Sequence, residues 1–159
     1  MAEVSFYILP TASQHERYLF ACKLVEKAYR SSGQPCYVLT DSDAQSGRLD
    51  DLLWTFRAGS FIPHQRYQQG EPVTPLQKVL IGSSPAPQGW QHTLINVSAQ
   101  FPQARHIIEI LDNSESSKAA GRTRFRQYQQ AGDSITTYKQ TPTGQWEKVL
   151  AQKNTESSV

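Results

Sequence analysis

The chain has 159 residues, 38% hydrophobic and 19% charged, with 9 Gly and 9 Pro. These values suit a folded globular chain and exclude collagen-like, coiled-coil and wholly disordered ones. No apolar run nears the roughly 20 residues that cross a bilayer. The start, Met1-Ala-Glu-Val-Ser5, lacks the basic and apolar regions of a secretory signal. Cys22 and Cys36 make neither a disulfide framework nor a zinc site. The expectation is a cytosolic, reduced protein with one domain over residues 1–148 and a polar, disordered tail over 149–159.

The formal net charge of +2 hides an uneven distribution. Residues 1–115 hold 9 Lys/Arg against 11 Asp/Glu, and residues 133–159 balance at 3 and 3. Between them, Lys118, Arg122, Arg124 and Arg126 stand without an acid. Such a block is either a solvated helix face or a docking site for an anion.

In chain order, Val4-Ser-Phe-Tyr-Ile-Leu9 is a short apolar run stopped by Pro10 and reads as a buried strand. Ser13-Gln-His-Glu16 has capping-box spacing. Tyr18, Ala21, Cys22, Val25, Ala28 and Tyr29 then recur at helical spacing, which predicts an amphipathic helix over 14–31 ended by Gly33 in a left-handed cap. Cys36–Thr40 is a second buried strand. Asp41 or Ser42 caps a helix over about 43–56, with Leu49, Leu52, Leu53 and Phe56 inward. A loop with Pro63, Gly70, Pro72 and Pro75 follows. Strands are expected at 78–81, 93–97 and 106–111, then the basic helix at about 114–131 closed by Gly132, then an edge strand at 135–138. Strands this continuously apolar, alternating with helices, predict an α/β three-layer sandwich with a largely parallel sheet and helices on both faces.

Such sheets often bind nucleotides at the turn after the first strand. Here that turn is Pro10-Thr-Ala-Ser13, and neither a phosphate loop nor G-x-G-x-x-G occurs. G-x-S-x-G is absent too. Thr40-Asp-Ser-Asp43 at a strand's carboxyl end fits two readings: Asp41 and Asp43 hold magnesium for phosphoryl transfer, or they cap a helix. His15, His64, His92 and His106 show no ligand spacing. No catalytic residue, cofactor or metal site is expected.

Two stretches suggest interaction surfaces. Lys118, Arg122 and Arg126 fall at i, i+4 and i+8, one stripe of roughly 12 Å beside Phe125. Guanidinium groups bind carboxylates as a fork and an aromatic ring receives an apolar side chain. The stripe therefore suits an acidic peptide with an apolar end, especially one presenting a terminal carboxylate. The alternative is a wet basic face with Phe125 in the core. Trp54, Phe56, Phe61 and Ile62 are the second concentration, covering the core's edge or forming a partner patch.

With Phe6-Tyr-Ile-Leu9, the blocks Arg48-Leu-Asp-Asp-Leu-Leu-Trp54, Ser60-Phe-Ile-Pro-His64 and Arg122-x-Arg-Phe-Arg-x-Tyr128-x-x-Ala-Gly132 occur in an order that resembles the chi subunit of bacterial DNA polymerase III holoenzyme, over about residues 4–140. The resemblance implies a fold related to nucleotide-binding domains and a non-catalytic clamp-loader accessory protein in the cytoplasm at the replisome. It implies two partners, the psi subunit and the acidic C-terminal tail of single-stranded-DNA-binding protein, with DNA met only indirectly. Carried over by position, the tail site is Lys118, Arg122, Phe125, Arg126 and Thr137, and the psi-facing surface is Trp54, Phe61, Ile62, Pro63 and His64. Phe125 stands where the family commonly has Tyr, and Arg126 where it has Lys. Ala120 replaces a larger apolar residue, which widens the expected pocket. The chain runs past the family's usual end. The competing expectations are direct single-stranded nucleic-acid binding through the same helix and a magnesium-dependent phosphotransferase using Asp41 and Asp43.

Overall fold

A computed structural model describes residues 1–149 apart from 32, 58, 60 and 75. The chain runs β1 (Glu3–Ile8), α1 (Gln14–Ser31), β2 (Cys36–Leu39), α2 (Asp43–Thr55), β3 (Gln65–Arg66), β4 (Val79–Gly82), β5 (Thr93–Asn96), β6 (His106–Leu111), α3 (Glu115–Gln130), β7 (Ser134–Gln140) and β8 (Trp146–Val149). The strands form one sheet in the order β3-β4-β2-β5-β6-β1-β7-β8, parallel throughout except for the β7–β8 pair.

The caps follow from local chemistry. Ser13 Oγ accepts from the Glu16 amide at 3.1 Å, and Ser42 Oγ from the Gln45 amide at 3.1 Å, which satisfies amides that have no partner inside the helix. Gly33, after α1, has φ 64°, and Gly132, after α3, has φ 81°, a region glycine enters without a Cβ clash.

Side-chain alternation along the strands builds a core on each face of the sheet. On one face Cys36, Val38, Val79, Ile81, Ile95 and Ile110 meet α1 and α2 through residues such as Cys22, Val25, Leu49 and Leu53. On the other, Val4, Phe6, Ile107 and Leu111 lie under Tyr128 of α3. The remainder of that second face, Tyr37, Leu39, Leu80 and Leu94, is closed by Tyr67 and Trp90 from loops. The layers are therefore helix, sheet and helix, as the apolar strands predicted. Burial pushes the Cys22 and Cys36 thiols up to about 12, so both act as small apolar core groups.

Three details differ from expectation. The strand at 135–138 is not an edge: β7 lies between β1 and β8. Val149, assigned to the tail, ends β8, and residues 150–159 lie outside the described residues. β3 is two polar residues within the expected loop, recruited by pairing with Leu80 and Ile81. No helix among the described residues is long and apolar enough to cross a membrane.

Candidate functional site

Helix α3 is aimed by its inward stripe. Gly121, Arg124 and Tyr128 are its buried residues, spaced i, i+3, i+7 as one helical face requires. Gly121 brings the helix so close to β6 that a Cβ there would overlap the Leu111 side chain. Arg124 does not project away with the other cations. Its Nε and Nη2 donate to the two oxygens of Glu109 on β6, each at 2.9 Å, with Glu109 completely buried. The Tyr128 hydroxyl donates to Glu109 at 2.6 Å and the Asn96 amide at 3.0 Å. Burial first, then the Glu109 carboxylate, pushes the Tyr128 phenol well above its ordinary value, so it remains a donor. A four-donor grip on one carboxylate thus fixes helix against sheet, since a buried charge is stable only when paired.

The opposite edge of α3 carries what remains of the basic block. A cavity of about 230 Å³ opens between α3 and strands β1, β6 and β7. Phe6, Ile8, Leu111, Gly121, Phe125 and Thr137 line it, and Lys118 and Arg122 stand on its helix side. Phe125 is half-buried, its ring 5.6 Å from that of Phe6, so it is at once a core residue and a cavity wall. Lys118 makes an exposed i, i+3 pair with Glu115 at 3.4 Å, a contact that leaves its charge largely available. Arg122 and Arg126 are exposed and form no ion pair among the described residues.

Four of the five residues expected at the tail site therefore surround one cavity. Arg126 is one turn farther along the helix, outside the lining. Ala120 does not widen this cavity: it faces a separate polar crevice with Arg17, Asp41, Asp112 and Ser114, and the small residue of the apolar cavity is Gly121. Phe6, Ile8 and Leu111 were missed because only the parallel pairing of β1 with β6 and β7 brings them under α3.

At the far end of the sheet, Phe61 is 77% exposed and Trp54 53% exposed, and Pro63 is exposed beside them. Ile62, by contrast, is 1% exposed and packs with the core. His64 is also buried, with Nδ1 2.7 Å from the Ile62 carbonyl oxygen and Nε2 2.8 Å from Asp50. The Trp54 ring rests 4.5 Å from the His64 ring. The exposed apolar face is thus Trp54, Phe61 and Pro63, while Ile62 and His64 hold it from beneath. Ser60 of this motif lies outside the described residues.

The two aspartates considered for magnesium are engaged separately. Asp41 oxygens accept from the Ala99 amide at 3.0 and 3.2 Å, and Asp43 Oδ1 meets Arg66 Nη2 at 2.7 Å. Among the described residues no group of three or more His, Cys, Asp or Glu is arranged to hold a metal ion.

Comparison with known proteins agrees over most of the chain. Residues 1–136 match the family described as DNA polymerase III chi subunit, HolC. DNA polymerase III subunit chi of Pseudomonas aeruginosa is 31% identical over 136 residues, covering 83% of this chain and 92% of that protein. The protein of the same name from Haemophilus influenzae is 26% identical over 137 residues, covering 83% and 93%. That from Escherichia coli is 23% identical over 128 residues, covering 73% and 80%.

Proposed function

Because the chain belongs to the DNA polymerase III chi subunit family, we propose that it serves DNA replication as a non-catalytic bridge, gripping the acidic C-terminal tail of single-stranded-DNA-binding protein and joining it to the clamp loader through psi in the cytoplasm. The observation that carries this reading is the apolar cavity with Lys118 and Arg122 on its rim. An apolar or aromatic terminal side chain enters the cavity, and its carboxylate and the acids before it meet the cations, with Arg126 extending the positive field. Phe125 supplies an apolar wall. The exposed Phe61, Trp54 and Pro63 offer psi the kind of aromatic anchor that dominates interface energetics.

Simultaneous occupancy is supported by the sheet order. Phe61 precedes β3 at one edge, whereas Thr137 lies on β7, six strands away, roughly 29 Å at the usual strand spacing. Neither partner need displace the other. Direct nucleic-acid binding through α3 is less well supported, because Arg124 is neutralised by Glu109 and only three cations of the block face solvent.

Calorimetric titration with a synthetic tail peptide tests the proposal. Arg122→Ala should weaken binding by about 1–3 kcal/mol, roughly five- to 150-fold. Phe61→Ala should leave tail affinity unchanged while reducing co-purification of psi. An Arg122→Ala protein that binds the peptide as tightly as the unmodified chain rules the site out.

A further inference from the structure

The hairpin after α3 places another cation beside the same cavity. Thr137 lines it and Ile135 packs into the core under α3, so the two-residue period of a strand puts Lys139 on that face as well. The register agrees. In β1, Phe6 is the partner of Thr137 and Ile8 of Lys139, and both Phe6 and Ile8 line the cavity. Leu111, Ile8 and Lys139 thus form a row across β6, β1 and β7 at one end of the cavity. Lys118 is the cavity's counterpart on α3, nearer the helix start than Phe125, which sits over Phe6. Lys139 is exposed and makes no ion pair among the described residues, although Glu147 of β8 is its cross-strand partner and shares its face.

We infer that Lys139 is a further tail-binding residue: with Lys118 it flanks the cavity's end at the carboxyl edge of the sheet, and the acidic residues preceding the buried terminal side chain pass between the two lysines. The inference rests on the peptide-binding reading above and gives it a direction. The tail leaves toward the carboxyl ends of the strands, not along α3 past Arg126. Glu147 then acts against binding, a like charge beside the same path. Both residues lie past residue 136, where the match to the family model ends.

The test uses fluorescence anisotropy on the full chain, with a labelled synthetic peptide of several aspartates ending in a phenylalanine with a free carboxylate. Lys139→Ala should raise the Kd about three- to ten-fold at low ionic strength, with the difference shrinking as salt screens it. Glu147→Gln should lower the Kd. Lys148→Ala, an equal charge change on the opposite face of the same hairpin, should do neither. With asparagines in place of the aspartates, the effect of Lys139→Ala should disappear. If Lys139→Ala binds like the unmodified chain while Arg122→Ala is impaired, the inference falls and the peptide site stands. If neither changes, the peptide site itself is wrong. Equal losses in Lys139→Ala and Lys148→Ala would assign the effect to net charge and overturn the inference.

Discussion

Glu109→Gln should destabilise the fold by about 3–5 kcal/mol, the usual cost of stranding one member of a buried ion pair. Glu109 accepts four hydrogen bonds, two of them from the guanidinium of Arg124, and the pair's side chains are 4% and 0% exposed. Glutamine keeps the shape and one acceptor oxygen but removes the charge, so Arg124 remains a buried cation without a counterion. The loss exceeds that of any surface pair here, because water cannot resolvate Arg124 without prising α3 from β6. Urea denaturation measures it directly. Adding Arg124→Met should recover much of the stability, since it removes the unpaired buried cation while Tyr128 and Asn96 still donate to the side-chain oxygen at position 109. An unchanged midpoint in Glu109→Gln would mean that the network is incidental to stability.

Gly121→Leu should weaken tail binding by about ten- to 150-fold. The glycine lines the cavity, and even a Cβ there would overlap Leu111. A leucine fills the volume proposed above for the peptide's terminal side chain, removing about 1.5–3 kcal/mol of apolar burial from the complex. It also overpacks the contact between α3 and β6, at about 1–3 kcal/mol, offset only by about 1 kcal/mol from replacing glycine within a helix. The binding loss should therefore match that of Arg122→Ala or lie toward its upper end, with thermal melting reporting the smaller cost to the fold. Normal affinity in Gly121→Leu would mean that the peptide does not use the cavity.

Much of the architecture was legible because local rules and burial coincide. Ser13, Ser42, Gly33 and Gly132 mark helix ends where they were expected, and the continuous apolar runs became the interior parallel strands. β8 was missed for the converse reason. All four of its residues are exposed, so it carries no burial signal, although Gly144 with φ 92° and the Thr141 amide donating to the Gln145 carbonyl at 2.7 Å mark a turn between two strands.

The candidate site was legible only on its helical side. Stripe spacing picks out Lys118, Arg122 and Arg126, and the family resemblance added Thr137. Arg124 was counted in the basic block but left off the stripe, and two signals pointed inward. Gly121, Arg124 and Tyr128 share a face, and Glu109 interrupts an otherwise apolar strand, where an acid demands a buried cation. The strand side of the cavity depends on which strands lie adjacent, and β1 is separated from β2 by β5 and β6. No local pattern encodes that order. Similarly, the apolar cluster near Phe61 was recognised, but its division into exposed Trp54, Phe61 and Pro63 and buried Ile62 and His64 depends on how α2 and the loop after it pack.

The most direct measurement is an amide and aromatic NMR shift map of the full chain during titration with the acidic, phenylalanine-terminated peptide. The resonances of Phe6, Gly121, Arg122, Phe125 and Thr137 should move together and saturate at one peptide per chain, leaving Trp54 and Phe61 in place. Shifts centred instead on Trp54 and Phe61, or on the crevice near Asp41 and Ser98, would contradict a carboxylate-terminated peptide held under α3.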